Sequence, residues 1–404
     1  MEILRIVLYS HDSLGLGHVR RNLALAHALS NQLPLLTGRD VTGILISGTA
    51  LAPGFDLPAG WDWVILPGVE KSHDGYQPRH LTVPMQDLVS LRAGLLQSVL
   101  GGFRPDLVVV DRHATGIHRE LEPALRRARA AGPVRTVLGL REVLDEPEAA
   151  NAEWEKVGGA PLVKDLFDAI WVYGDPAIHD PVAAGEIPHS FSKLIRYTGY
   201  LAAGRPPGPG KLSVQRPYFI TTVGGGADGH ALAAMAAAAD VPAGVRHLII
   251  AGPQMPGRQI TDLRRRAAPG VRIAERLNDM VLHLRGAQAI VSMGGYNTVC
   301  EIMSTDVPAL IVPRIHARSE QRIRAASLAS AGYLEYREIT TLTPGILSGW
   351  LVRRLGTRVD RRQARLDGLV RVPQLAAELL QPLLRPDASS APSSSREGAA
   401  HVAI

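Results

Sequence analysis

A chain of 404 residues is too long for one ordinary domain, and 46% hydrophobic content supplies material for more than one buried core. The formal charge of +6 does not amount to a nucleic-acid footprint, because the arginines are scattered and no aromatic-interleaved basic motif accompanies them. A lone Cys300 excludes an intrachain disulfide and a cysteine metal cluster.

No stretch reaches the roughly 18 apolar residues of a membrane span. The first residues lack the basic start and small-residue cleavage site of a secretion signal, so a cytoplasmic protein is expected. Taken in chain order, residues 3–9, 41–47, 63–66, 107–110, 134–139 and 169–172 read as strands, with helices at 22–29, 85–100 and 118–130. These strands are continuous apolar runs, the pattern of a parallel sheet covered on both faces, and the alternation with helices predicts a doubly wound α/β domain over 1–201. A proline- and glycine-rich linker follows at 202–216. The alternation then restarts, with strands at 218–223, 245–251, 271–274, 289–292 and 309–312 and helices at 231–239, 280–285, 298–304, 320–331, 343–355 and 373–384. This predicts a second domain over 217–385, and residues 386–404 have the Ser/Pro/Ala composition of a disordered tail. Two α/β domains leave a cleft between them, and ligands of such sheets sit at the carboxyl ends of strands.

Glycine-rich loops lie at those ends. Thr221-Thr222-Val223-Gly224-Gly225-Gly226 follows a strand and either presents N–H groups to an anion or makes a tight turn; it is neither a Walker A loop nor a clean GxGxxG. In Ser292-Met293-Gly294-Gly295-Tyr296-Asn297-Thr298-Val299-Cys300-Glu301 a helix is expected to start near Asn297 or Thr298, both good N-caps. Its N-terminus offers N–H groups to a pyrophosphate, and Glu301, on the Asn297 face, is either a ribose ligand or a solvated helix carboxylate. Pro313-Arg314-Ile315-His316-Ala317-Arg318-Ser319-Glu320-Gln321 is dense in groups that suit sugar hydroxyls.

These segments, together with Ala274-Glu275-Arg276-Leu277-Asn278-Asp279-Met280, resemble in order and spacing the nucleotide-sugar-binding domain of MurG-like glycosyltransferases (glycosyltransferase family 28). The resemblance runs from about Tyr218 to Gly332. It implies a GT-B fold, with two Rossmann-like domains facing across a cleft. It also implies sugar transfer from a nucleotide-diphosphate donor, taken first as a UDP-sugar, without a bound metal or other cofactor. By the same resemblance, the backbone near Leu277 and Met280 would hold the base and Glu301 the ribose. Gly224, Gly225, Gly226, Gly294 and Gly295 would approach the diphosphate, and Glu320 and Gln321 would contact the donor sugar; Asn297, Thr298, His316 and Arg318 are further donor-side candidates. The family has Gln-Gln where this chain has Glu320-Gln321, which puts N-acetylglucosamine as donor sugar in doubt. Gly226 replaces a serine of the usual Gly-Gly-Ser. The first half looks like a group of predicted bacterial glycosyltransferases close to these, through Pro105–Arg112, Leu138–Glu142 and Tyr197–Tyr200.

The opening loop Ser10-His11-Asp12-Ser13-Leu14-Gly15-Leu16-Gly17-His18 then takes the acceptor side. In enzymes of this type the base often lies there, and His18 fits by position, histidine being a residue type suited to general-base work at neutral pH; the alternative is that it caps its helix and helps bind substrate. His11, Asp12, Gly15, Gly17, Asp111 and Arg141 are the other acceptor-side candidates, with Arg318 or Arg141 available for leaving-group charge. Asp111-Arg112-His113 either lines that side or closes a turn, and Lys71–His80 is either an acceptor loop or a solvated connection. The acceptor would be a carbohydrate, a lipid-linked molecule that brings the protein to a membrane surface, or a small molecule, and not nucleic acid. The competing readings are a non-hydrolysing sugar-nucleotide epimerase and a polyanion-binding protein.

Overall fold

The computed structural model describes residues 3–11, 16–72, 75–204, 211–277, 279–314 and 319–384. Asp12, Gly15, His316, Arg318, residues 205–210 of the linker and the expected tail lie outside them. The first sheet has seven strands: β1 (Ile3–Tyr9), β2 (Asp40–Ser47), β3 (Trp61–Ile65), β6 (Leu107–Asp111), β7 (Arg135–Arg141), β8 (Ala169–Tyr173) and β9 (Ile195–Tyr197). Their order is β3-β2-β1-β6-β7-β8-β9, and every pairing is parallel. β6 and β8 are buried along their whole length, as continuous apolar runs require. Helices α1 (Gly17–Thr37), α2 (Met85–Phe103), α3 (Glu122–Ala131), α4 (Pro147–Val157) and α5 (Gly159–Leu166) complete this domain. The stretch expected as an acceptor loop or open connection contains a hairpin of β4 (Val69–Ser72) and β5 (Gly75–Pro78).

The second sheet is also parallel, in the order β12-β11-β10-β13-β14-β15. Its strands are β10 (Tyr218–Thr222), β11 (Arg246–Ile250), β12 (Val271–Ala274), β13 (Ile290–Ser292), β14 (Ala309–Ile311) and β15 (Glu335–Tyr336). The helices are α6 (His230–Ala237), α7 (Gly257–Arg266), α8 (Met280–Gly286), α9 (Tyr296–Met303), α10 (Glu320–Ser330) and α11 (Pro344–Arg353). Among the described residues, no helix is long and apolar enough to cross a membrane.

The chain crosses between the sheets twice. At the second crossing the buried Arg361 guanidinium donates to the carbonyls of Thr305, Val307 and Tyr333, at 2.6, 2.9 and 3.0 Å, and so pins the returning strand to the second domain. The crossings run side by side, with Tyr200 N–H donating to Arg365 O and Gly368 N–H to Tyr200 O. The last helix, α12 (Gly368–Leu384), then packs on α1, where Gln32 donates to Leu369 O at 3.2 Å. The sequence boundaries group this helix with the second domain; its apolar face, with Leu369, Val372, Leu375 and Leu380 buried, packs on the first.

Both sheets are doubly wound about an inner strand. In the first, chain order reverses between β1 and β6; in the second, between β10 and β13. Loops leaving two such strands diverge and open a crevice. The opening loop follows β1, Asp111 ends β6, Gly224–Gly226 follows β10, and Gly294-Gly295 follows β13.

Candidate active site

The two crevices face one another across a cavity of about 280 Å³, lined from both domains. His18, Gly17, Arg20, Arg21 and Arg141 come from the first; Gly224, Gly225, Met280, Gly295, Asn297, Thr298 and Glu301 from the second.

On the first side, His18 and Arg21 lie one turn apart near the start of α1 and therefore share a face. Both meet Asp111. Arg21 Nη2 donates to its two carboxylate oxygens at 2.7 and 2.6 Å, and His18 Nδ1 lies 2.9 Å from Oδ2. Burial alone would push the Asp111 carboxyl up, but Arg21 and then His18 override it and hold it well below the usual carboxylate range. Arg21 Nη2 also lies 3.0 Å from His18 Nδ1, so two neighbours compete for one ring nitrogen. The ionised carboxylate decides the tautomer: Arg21 already donates to Asp111, and a charge-assisted Nδ1–H···O bond is stronger than one between Arg21 and a neutral ring nitrogen. The neutral ring therefore donates from Nδ1 to Asp111, and Nε2 is the nitrogen left to accept a hydrogen bond. His11 is buried beside them, its ring centroid 5.3 Å from that of His18, and burial lowers its pKa well below the ordinary value.

The second side is made of backbone. α9 begins at Tyr296 with Gly295 as its N-cap, two residues before the expected start at 298, and no side chain caps it. Asn297 does not cap; its Nδ2 donates across the cleft to Gly17 O at 2.8 Å. A Cβ on Gly295 would meet no atom within 4 Å, whereas Gly294 has φ +84° and a Cβ there would lie 2.7 Å from the Ile311 side chain. In Gly224–Gly226, only the first two glycines line the cavity. Gly226 (φ +93°) packs against the loop after β11, where a Cβ would lie 2.2 Å from Ala251 O, so its role is close loop packing.

Glu301 is 1% exposed, which removes the reading of a solvated helix carboxylate. Its carboxylate forms an ion pair with Arg20 across the cleft. Glu320 and Gln321 lie outside the cavity lining and are buried at the start of α10. Glu320 pairs with Arg141 at 2.5 Å and with Arg314 at 3.5 Å; burial opposes ionisation, yet Arg141, Arg324 and Arg314 bring its pKa down to about 2. Leu277 packs into the apolar core of its domain and does not line the cavity. Asp111 stands behind His18 instead of facing the cavity, and Arg112 pairs with Glu153 at 2.5 Å. Among the described residues, no group of three His, Cys, Asp or Glu side chains is placed to hold a metal ion.

Other cross-domain contacts hold the cleft in register. Glu142 and Arg324, both fully buried, pair at 2.6 Å; Ser319 N–H donates to Asp145 at 3.0 Å; Arg322 pairs with Glu146. The Tyr296 hydroxyl donates to Tyr173 O at 2.9 Å, and the Arg21 and Arg324 guanidinium carbons each lie 5.6 Å from its ring centroid. Sequence reasoning missed Arg20, Arg21, Tyr296, Glu142 and Arg324. Arg21 alone carried a readable signal, its helical spacing from His18.

Residues 234–355 match the family model described as the glycosyltransferase family 28 C-terminal domain. An uncharacterised glycosyltransferase from Methanosarcina mazei is 24% identical over 204 residues, which span 48% of this chain and 51% of that relative. The fold is similar to that of Acinetobacter baumannii MurG (TM-score 0.55, 15% identity, 94% of this chain and 99% of that one). It is also similar to that of the calicheamicin glycosyltransferase CalG4 (TM-score 0.58, 19% identity, 94% and 98%). The match to the glycosyltransferase family 28 C-terminal domain thus lies within the second domain of this chain, and the chain as a whole has the two-domain GT-B fold.

Proposed function

We propose that this protein is a glycosyltransferase that moves a sugar from a nucleotide-diphosphate donor, a UDP-sugar first among them, to an acceptor hydroxyl. One observation carries the reading: the crevices of both sheets open on a single cavity, one lined by a polarised histidine and the other by an uncapped helix N-terminus. In this reading Glu301 accepts the ribose hydroxyls, and Gly224, Gly225, Gly295 and the first N–H groups of α9 receive the diphosphate. Arg141 lines the cavity from the facing domain, its charge matched by Glu320. His18 Nε2 takes the acceptor hydroxyl proton as that oxygen bonds to the anomeric carbon; the bond from that carbon to the phosphate oxygen breaks, and its electron pair leaves with the nucleoside diphosphate. Asp111 holds the ring in the required tautomer and stabilises the imidazolium that forms. The donor sugar lies toward Arg141, which lines the cavity and pairs with Glu320 behind it, a residue that departs from the family pattern. The acceptor is a carbohydrate, lipid-linked or small-molecule hydroxyl.

The test is release of nucleoside diphosphate from a panel of nucleotide sugars, with and without candidate acceptors, in the presence of a metal chelator. The proposal requires acceptor-dependent release that survives the chelator. Conversion of the nucleotide sugar without any acceptor would instead identify an epimerase.

A further inference from the structure

The ion pair between Arg20 and Glu301 has unequal halves. The Glu301 side chain is 2% exposed and fixed on α9, whereas the Arg20 side chain is 37% exposed on the first turn of α1. Both line the same cavity as Gly224, Gly225 and Gly295. At about 280 Å³ that cavity is at the small end for a ligand pocket. A guanidinium moved off Glu301 therefore stays within reach of any anion bound there. The two other arginines lining the cavity are committed elsewhere, Arg21 to Asp111 and Arg141 to Glu320. Arg20 differs from them because its partner is the carboxylate assigned to the ribose.

We propose that Arg20 changes partner when the donor binds, from Glu301 to the diphosphate. This rests on the reading of Glu301 as the ribose ligand. Ribose hydroxyls and Arg20 draw on one carboxylate, so a nucleoside weakens the ion pair without offering the guanidinium a new anion. A nucleoside diphosphate weakens the same pair and supplies two phosphates, which an arginine fork grips with charge-assisted hydrogen bonds. Arg20 thus makes the site selective for the diphosphate form and brings the first turn of α1, with His18, against the bound donor.

Calorimetric titration of the full chain tests this, with UDP, dTDP, GDP and ADP each paired with its own nucleoside. The wild-type protein is expected to prefer a diphosphate strongly over its nucleoside. Arg20→Ala should bind that diphosphate about tenfold more weakly and the nucleoside equally well or better, so that the preference shrinks by at least that factor. Arg20→Lys keeps the charge without the fork and should fall between the two, which guards against a misfolded alanine variant. An unchanged preference in Arg20→Ala, or equal losses for both ligands, would overturn the role of Arg20 while leaving the glycosyltransferase reading intact. If the wild-type protein binds none of the diphosphates, that reading falls first, and this one with it.

Discussion

The two sheets reverse their winding in the same way, but they furnish the crevice differently. The first brings charged side chains together: His18 and Arg21 from α1 converge on Asp111 at the end of β6. The second brings glycines and an uncapped helix N-terminus. A side-chain cluster suits proton transfer, because its groups tune one another's charge; a backbone cradle suits an anion, because its N–H groups are fixed donors that do not titrate. On the proposed reading, one topology therefore supplies both halves of a transfer reaction.

Four substitutions probe that division, from the largest effect to the smallest. His18→Ala should lower turnover by about 10²- to 10⁴-fold, read as nucleoside diphosphate release, with little change in donor affinity. A loss of donor affinity with unchanged turnover would move His18 to the binding half. Asp111→Asn should cost stability as well as rate, about 3 kcal/mol by denaturant titration, because Arg21 is left buried without its counter-charge. It should also flatten the acid limb of the stability profile. The folded Asp111 carboxyl lies below its unfolded value, so its contribution is complete above about pH 4 and is lost as the pH falls below that. On the backbone side, Gly226→Ala should cost about 1–3 kcal/mol in stability, since its φ is left-handed and backbone blocks the added methyl. Gly295→Ala, with open space around it, should melt like the wild type and weaken only nucleotide binding.

The parallel sheets were legible in the sequence because both-faces-buried strands such as β6 and β8 are unbroken apolar runs. The hairpin of β4 and β5, the edge strands β9 and β15 and the helices α4, α5 and α7 were not recognised, being short or carrying mixed polar faces. Helix α1 was expected to stop at Leu29, yet it continues through Pro34 to Thr37. The glycine loops announced themselves, but not which glycine serves the cavity and which serves packing, a distinction set by φ and by the neighbouring loop. Contacts across the cleft were the least readable part. Glu301 lies 281 residues from Arg20 in sequence, and Arg324 lies 182 from Glu142, so only folding brings these pairs together.

The central claim is that Glu301 and the backbone cradle at α9 hold a nucleoside diphosphate. The most direct measurement is the melting temperature of the wild-type and Glu301→Ala proteins with UDP, dTDP, GDP and ADP. One of the four should raise the wild-type melting temperature by several degrees at saturating concentration and leave the variant almost unmoved. No shift with any of them, or an equal shift in both proteins, would contradict the account.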